Sequence, residues 1–487
     1  MAGIVGINRP NSSNLIHEAL EKIAHRGKSG SMFYELDNAT CGQVWAEDHQ
    51  THSGSFTSQG VVLDGAVTNW GRLCQDSVTA HHAIERLYFG SGPGFVGDLD
   101  GSFALAMGTD QGLFIARDTL GIAPLYTGSH KGDLCFASEV KALLGWAENI
   151  QEFPPGNYYH PDSGLTCYRE IAKREPINIS GEDAAVQLRR MLMKAVAARL
   201  AISQGAGAWL SGGLDSSAIA ALACRQSHGM KTFSVGLEGS PDIEFARIAA
   251  DHINSQHYEL IVTIDDIFRT LPAVIYHLES FDALLVRSSV MNYLVGRLAS
   301  KHVPYVFSGE GGDELFAGYE YLKKLKPDHL ADELIDITNR LHNTALQRVD
   351  RCSSAHGLIA HVAFLDKDVL DLALSIPTKY KLHRNGKLVE KWVLRRAMDG
   401  LLPDVILERK KSKFWEGSGI TDILEHHASE TISDNEFAKE QTLPDGGLLR
   451  SKEELLYYRI FKEHFGELED LSFVGRTKNT APVHQKK

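Results

Sequence analysis

The most constraining feature of this sequence is a short apolar run that ends in a turn rich in glycine and serine. Ala206–Leu210 has the character of a buried strand, and residues 211–217 then read Ser-Gly-Gly-Leu-Asp-Ser-Ser. The next segment, Ile219–Cys224, has helical character. Glycines let the backbone approach an anion, and the N-terminus of a helix offers unpaired N–H groups. The pattern predicts a phosphate-binding loop between a strand and a helix.

The residue types in this loop also indicate which kind of phosphate site it is. Asp215 would repel a phosphate unless a cation lay between them, so we expect Mg²⁺ at this position. The loop lacks the lysine of the GxxxxGK[ST] motif. It resembles instead the pyrophosphate loop of the ATP pyrophosphatases, which release pyrophosphate and transfer AMP.

A second glycine-rich turn with acidic residues follows a strand-like run further along the chain. Residues 308–314 read Ser-Gly-Glu-Gly-Gly-Asp-Glu and follow the strand-like run Val303–Phe307. Three glycines and three carboxylates in so short a segment are typical of a turn that binds a cationic or polar ligand.

Composition and charge exclude several classes of protein. Lys and Arg number 50 against 62 Asp and Glu, a net charge of −12, which argues against nucleic acid or an anionic membrane as the main partner. No apolar run approaches the roughly 18–20 residues that span a bilayer, and the first residues lack the pattern of a secretion signal. The six cysteines show no CxxC spacing, so we expect free thiols and a cytoplasmic location.

The pattern of apolar runs and turn residues along the sequence predicts two domains and a tail. Residues 1–165 hold short apolar runs separated by turn residues, which favours a β-rich domain. Strand-like and helical segments alternate from about 180, which favours a parallel sheet covered by helices, and residues 320–487 are largely helical in pattern. We therefore predict domains at 1–165 and 180–475, followed by a loose polar tail at 476–487.

Together, these motifs resemble the synthetase half of glutamine-dependent asparagine synthetases. The resemblance is carried by six segments: 233–242 (FSVGLEGSPD), 274–279 (VIYHLE), 308–319 (SGEGGDELFAGY), 346–356 (LQRVDRCSSAH), 364–367 (FLDK) and 390–395 (EKWVLR). The resemblance implies an α/β domain of the ATP-pyrophosphatase type with helical additions.

The N-terminal half resembles the class II glutaminase domain that those enzymes carry. The matching segments are 3–7 (GIVGI), 25–27 (HRG), 116–126 (ARDTLGIAPLY) and 136–141 (FASEVK). This resemblance implies an α+β sandwich of the Ntn-hydrolase type and extends the likeness over nearly the whole chain.

The resemblance also assigns residues to an ATP-dependent, amide-forming reaction. It implies Mg²⁺ on Asp215 and Asp313, and a catalytic set of Glu310 beside the acyl-adenylate, Lys391 on the phosphates and Arg287 near the carboxylate substrate. The ATP-binding residues that it implies are Leu210, Ser211, Gly212, Gly213, Asp215, Ser216, Ser217, Val235, Ser308 and Gly309.

The glutaminase half departs from the family where its chemistry resides. Position 2, where the family has a nucleophilic cysteine, is Ala2, whose methyl group cannot attack an amide. The family's Asn-Gly-Glu reads Asp64-Gly65-Ala66, the acidic residue before the next helix is Ala80, and its Arg-Leu-Ser segment is replaced near 45–48. We predict that this domain does not hydrolyse glutamine and survives as a packing surface or a homodimer contact.

The synthetase half differs from the family at positions near the expected site of the acid substrate. The family's Thr-Thr pair before the arginine is Leu284-Leu285, and its Glu-x-Arg-x-Pro reads Ile359-Ala360-His361-Val362-Ala363. Three hypotheses follow: a ligase that joins aspartate to free ammonia, a β-lactam-synthetase-like or other ligase acting on a different acid, and a non-catalytic subunit. The intact phosphate loop favours a ligase, whose partners would be small-molecule carboxylates and amines.

Overall fold

The computed structural model describes residues 2–46, 57–384, 388–409 and 420–478. Its N-terminal part, which ends at Cys167, contains two antiparallel sheets with strand orders β2-β3-β1-β8-β7-β9 and β11-β10-β6-β5-β4. The strands are β1 Ala2–Ile7, β2 Gly30–Glu35, β3 Thr40–Trp45, β4 Val62–Val67, β5 Gly101–Thr109, β6 Gly112–Arg117, β7 Tyr126–His130, β8 Asp133–Ala137, β9 Glu148–Glu152, β10 Asn157–His160 and β11 Gly164–Cys167. The helices are α1 Ser13–Lys22, α2 Trp70–Leu73 and α3 Ala80–Ser91.

Strand β5 shows why these sheets form a sandwich. Its small residues Ala104 and Ala106 face the other sheet in a cluster that includes Ile4 and Phe136. The alternate residues, such as Phe103, face the helical side of the domain. A strand buried on both faces requires apolar residues at every position, since successive side chains point to opposite faces. The predicted β-rich sandwich is confirmed.

The C-terminal part is built on a parallel five-stranded sheet of order β14-β13-β12-β15-β16. Its strands are β12 Gly207–Trp209, β13 Lys231–Leu237, β14 Gln256–Val262, β15 Tyr305–Ser308 and β16 Ile359–Val362. Helix α4 Gly181–Leu200 precedes β12, and the helices between the strands are α5 Leu214–Cys224, α6 Pro241–His252, α7 Ile264–Leu278, α8 Ala283–Ala299, α9 Gly312–Phe316, α10 Pro327–Asn339 and α11 Ala345–Ser354. The predicted alternation of strand and helix is confirmed. Strands β13 and β14 are added on one side of β12, and β15 and β16 on the other.

Helices dominate the described residues after β16, with one hairpin, β17 Leu382–Arg384 and β18 Leu388–Glu390. These helices are α12 Lys367–Ser375, α13 Thr378–Lys381, α14 Trp392–Ala397, α15 Asp404–Leu407, α16 Ile420–Thr431, α17 Asp434–Glu440 and α18 Lys452–Phe465. Short 3₁₀ segments lie at Ala24–Arg26, Pro93–Asp98, Val140–Ala142, Glu320–Lys324, Leu341–Asn343 and Ala363–Leu365.

The chain end is more firmly held than the sequence suggested. The main-chain N–H of Thr477 donates to Asp282, and the ammonium of Lys478 contacts Glu333 and Asp336, each at 2.7 Å. Residues 476–478, with which the predicted loose tail begins, therefore contact acidic partners far away in sequence, of which Asp282 and Glu333 are buried. The rest of the predicted tail, 479–487, lies outside the described residues.

Two further predictions can be compared with the structure. All six cysteines are free thiols, as expected. Within the described ranges, no helix has both the length and the apolar composition needed to cross a membrane.

One large apolar core contains residues of both halves, from Val5 and Tyr126 to Phe307 and Leu346, so the two parts pack against each other.

Candidate active site

The carboxyl ends of β12, β13 and β15 open into a cavity of about 620 Å³. Strand β12 lies between β13 and β15, so the order in which strands are added to the sheet reverses at β12. In open α/β sheets such a reversal creates a crevice where ligands bind. The volume falls in the range that small-molecule sites occupy, about 300–1,000 Å³.

The loop after β12 presents helix α5 to this cavity. Gly213 is the N-cap residue of α5, and the Ser216 hydroxyl lies 2.9 Å from that of Ser211 and 3.2 Å from the Gly213 carbonyl oxygen. These hydroxyls hold the loop in a fixed turn that directs the N–H groups of the first helical residues outward. Such an arrangement is suited to a phosphate group.

Two glycines allow this loop to pack closely against its neighbours. Gly212 has a left-handed φ of +70°, and a Cβ atom there would lie 2.5 Å from the main-chain nitrogen of Ala246. A Cβ atom on Gly309, in the loop after β15, would lie 2.6 Å from the main-chain nitrogen of Ser216. The two predicted loops therefore touch, and only glycine fits at their contact.

Lys391 joins the two loops electrostatically. Its ammonium lies 2.5 Å from a carboxylate oxygen of Asp215 and 2.5 Å from one of Asp313. Burial disfavours the charged form, but the two carboxylates outweigh it and raise the pKa of Lys391 above its usual value. A permanent positive charge therefore lies between two acidic groups beside the phosphate loop.

Glu310 faces the same cavity from the second loop. Its carboxylate is paired with the guanidinium of Arg348 on α11. The sequence pattern indicates no role for Arg348, because its importance depends on a contact with a residue 38 positions away. Tyr319, whose hydroxyl donates to Glu314, also lines the cavity, and burial followed by the Glu314 charge raises the pKa of Tyr319.

Most of the predicted site residues meet in this one cavity. The wall includes Leu210, Ser211, Gly213, Asp215, Ser216, Val235, Ser308, Gly309, Glu310, Asp313 and Lys391. Gly212 and Ser217 are predicted ATP-binding residues that belong to the same loop but are absent from the wall formed by the described residues. Their burial fits a role in shaping the turn.

Arg287, which is predicted to lie near the acid substrate, pairs with an acidic residue of another helix. It is buried against α18, where its Nε lies 2.7 Å from a carboxylate oxygen of Glu453, and it is absent from the described cavity wall. Leu284 and Leu285, from the first turn of the same helix, do line the cavity. The helix therefore presents these two leucines together with the polar Ser288 and Asn292 to the cavity, and the arginine is paired with Glu453 on another side.

Arg409 is a second wall residue without a predicted role. Its guanidinium donates to the carbonyl oxygen of Ser211, pairs with Asp242 and lies 4.0 Å from the ring centre of Phe245. It begins the basic segment 409–413 that is visible in the sequence, of which only Arg409 is described.

The pocket predicted to be degenerate lies at the junction of the two halves. Ala2 begins β1, and its main-chain nitrogen donates to Asp64 at 3.3 Å. Asp64 and Ala66 border a cavity of only about 30 Å³, room for one or two water molecules. Ala80 is not among the described residues of that wall and packs in the apolar cluster of Phe103. Of the segment 45–48, Glu47 and Asp48 lie outside the described residues.

Comparisons with known proteins agree with this architecture. The chain matches the family model "Asparagine synthase" over residues 187–336 and 323–484, and "Glutamine amidotransferase domain" over residues 1–176. Asparagine synthetase [glutamine-hydrolyzing] 2 of Arabidopsis thaliana is 36% identical over 439 residues, which cover 83% of this chain and 75% of that protein. Asparagine synthetase B [glutamine-hydrolyzing] of Escherichia coli K12 is 35% identical over 479 residues, 91% of this chain and 86% of that protein.

The matches identify both parts of the fold. The N-terminal sandwich is a glutamine amidotransferase domain of the Ntn type, and the C-terminal part is a domain of the ATP-pyrophosphatase type, as predicted. Family models that together span both halves, and relatives of this identity and coverage, lead to one conclusion: the chain belongs to the asparagine synthase family.

Proposed function

We propose that this protein adenylates a carboxylic acid with ATP and joins the acyl group to free ammonia. Family membership supports ATP-dependent amide ligation, and aspartate, which would give asparagine, is the first candidate acid. The observation that carries the proposal is the single cavity in which the 211–217 loop, Lys391 and Glu310 meet. The presence of the loop, Lys391 and Glu310 in one cavity favours an active ligase over a non-catalytic subunit.

The first step requires charge to be stabilised on the phosphates. An oxygen of the carboxylic acid attacks the α-phosphorus of ATP, the bond from that phosphorus to its bridging oxygen breaks, and pyrophosphate leaves. The N–H groups at the start of α5 and the ammonium of Lys391 are positioned before the reaction begins, so they stabilise this charge with little reorganisation.

The donor set fits Mg²⁺. Asp215 and Asp313 come from different loops, yet their carboxylates both contact the Lys391 ammonium and are therefore close together. Mg²⁺ prefers oxygen ligands and is commonly held by one or two carboxylates together with substrate phosphates. Asp215 and Asp313 would hold the ion, which supplies neutralising charge to the phosphates when bound.

Glu310 is assigned to the second step. Ammonia attacks the acyl carbon, AMP leaves, and the nitrogen loses a proton as the amide forms. A carboxylate that faces the cavity can accept that proton or stabilise the positive nitrogen. The ion pair with Arg348 keeps Glu310 oriented for this role.

Glutamine is not the nitrogen source in this proposal. The residue at the nucleophile position has only a methyl group, and the carboxylate of Asp64 is already bound by Arg26 and Ser138, each at 2.8 Å. The space beside Asp64 holds no more than one or two waters. These features support a ligase that takes ammonia directly.

A different acid is the second candidate, because the cavity wall has two leucines where the family has a pair of threonines. Leu284 and Leu285 line the wall, while Arg287 is neutralised by Glu453. A ligase that closes an amide within one substrate, as β-lactam synthetases do, would fit this wall and would need no added amine.

AMP formation from ATP and Mg²⁺ distinguishes these proposals. Aspartate would be tested with ammonium, with glutamine and without an amine, and Glu310→Gln would serve as the inactive control. Asparagine and AMP with ammonium alone are the expected result. Equal activity with glutamine would refute the loss of the glutaminase, and the absence of aspartate-dependent AMP would favour the second candidate.

A further inference from the structure

A buried arginine in the N-terminal half binds the synthetase half directly. Arg26 is fully buried, and its guanidinium contacts both carboxylate oxygens of Asp350, at 2.8 and 3.1 Å. It also donates to Ser354 at 3.1 Å. Asp64, Glu139 and the carbonyl oxygen of Ala2 complete its shell from the N-terminal side, at 2.8, 2.9 and 2.9 Å. One cation therefore holds carboxylates from both halves of the molecule.

The residues that Arg26 binds in the synthetase half belong to one helix. Asp350 and Ser354 lie on α11, four residues apart and hence on the same face. Arg351 of the same helix contacts Glu139 at 2.8 Å, which adds a second link to the N-terminal half. Helix α11 is therefore fastened to the N-terminal domain along one side.

The other side of α11 faces the candidate active site. Arg348 is two positions before Asp350, which places it nearly opposite on a helix of 3.6 residues per turn. It lines the large cavity and pairs with Glu310. A shift or rotation of α11 would move Arg348 and release Glu310.

We propose that Arg26 is a positioning residue for the synthetase reaction and acts through Asp350 and α11 on the Arg348–Glu310 pair. This inference rests on the proposed ligase function of the large cavity. It gives a catalytic task to a domain that has lost its own chemistry: the N-terminal half fixes the helix that orients a catalytic carboxylate. Arg26 itself touches no reacting atom.

The test uses full-length variants and two readouts. Arg26→Met breaks the link from one side and Asp350→Asn weakens it from the other, whereas Arg26→Lys retains the charge. Arg117→Met is the matched control, because Arg117 is equally buried but its hydrogen bonds stay within the N-terminal half. Each variant is examined for AMP formation per folded molecule and for hydrogen–deuterium exchange over residues 345–354.

The inference predicts a specific pattern. Displacing a catalytic group by about 1 Å can cost roughly 10²-fold in rate, so Arg26→Met and Asp350→Asn should lower kcat by about that factor. The KM for ATP should change by less than about threefold, since the phosphate loop is untouched. Exchange in α11 should become faster, the double variant should be no worse than the stronger single one, and Arg26→Lys should recover part of kcat.

Other outcomes would overturn the inference. Unchanged exchange in α11, or unchanged kcat in Asp350→Asn, would show that the link does not position the helix. An equal loss of kcat in Arg117→Met would reduce Arg26 to a general stabilising residue. If Arg26→Met fails to fold, Asp350→Asn and Arg26→Lys still decide the question. A wild-type protein that forms no AMP would refute the proposed function, whereas the exchange experiment would still test the link to α11.

Discussion

The contact between the two loops at Gly309 allows one prediction to be worked from distances. In Gly309→Ala the new methyl group would lie 2.6 Å from the main-chain nitrogen of Ser216 and 2.8 Å from the carbonyl carbon of Asp215. Non-bonded heavy atoms reach their optimal separation at about 3.5 Å, so the loops must move apart by roughly 0.9 Å. Both neighbouring atoms belong to the backbone, which cannot rotate away as a side chain would.

This displacement separates the phosphate loop from the loop that carries Glu310 and Asp313. A misplacement of about 1 Å can cost roughly 10²-fold in rate, which corresponds to about 2.7 kcal/mol of activation free energy. Overpacking also lowers the free energy of unfolding by about 1–3 kcal/mol. We therefore expect a folded Gly309→Ala protein with kcat reduced about 10²-fold.

The assay is AMP formation at saturating ATP, acid and ammonium, with circular dichroism to verify folding. Gly90→Ala is the control, because no heavy atom lies within 4 Å of a Cβ at that glycine of α3. It should keep its activity within about twofold, as surface substitutions away from special sites usually have little effect. A Gly309→Ala protein with more than a third of the wild-type kcat would refute the argument that this glycine sets the spacing of the loops.

Three further predictions concern single residues. Lys391→Met removes the cation between Asp215 and Asp313 and should lower kcat about 10²–10³-fold in the same assay, as loss of a transition-state donor does; retention of a tenth of the activity would contradict this. Ala2→Cys should release no glutamate from glutamine in a coupled glutamate assay, because Asp64 stays occupied by Arg26; measurable glutamate would contradict the proposed closure of that pocket. His361 is buried, and desolvation lowers its pKa to about 3, so the unfolded chain takes up its proton near pH 6.5 and the folded chain does not. The free energy of unfolding should then fall by about 1.4 kcal/mol per pH unit below 6.5, and a His361→Gln variant in urea titrations should lose that component of the slope.

The sequence predicts well where the decisive contacts are local. The strand, the glycine-rich turn and the helix around 207–224 form from neighbouring residues, so their pattern was sufficient to predict this strand, turn and helix. The second loop could be predicted for the same reason. That the two loops meet at Gly309 depends on the order of β12 and β15 in the sheet, which no local pattern contains.

The sequence predicts poorly where a charge chooses a distant partner. Arg287 could be assigned to the acid substrate only by resemblance, and its contact with Glu453 spans 166 positions. Arg348 was overlooked because an arginine on an amphipathic helix has no distinguishing local pattern. Residues 476–478 look like a polar chain end, yet Asp282 and Glu333 bind two of them. Buried carboxylates select such partners because an unpaired buried charge is costly.

The same cost gives a physical reason for the two halves of the chain to stay together. At the junction, the buried cations Arg26, Lys141 and Arg351 interlock with the buried carboxylates Asp64, Glu139, Glu279 and Asp350. Separating the two halves would leave Asp350 without Arg26, and Glu279 would keep only Arg351 of its two cations. Removing one partner of a buried ion pair destabilises a protein by about 3–5 kcal/mol. Asp64, which stands where the family has an amide, adds a carboxylate to this network. In our proposal, the guanidinium of Arg26 therefore joins the carboxylate that closes the old pocket to the helix that orients Glu310.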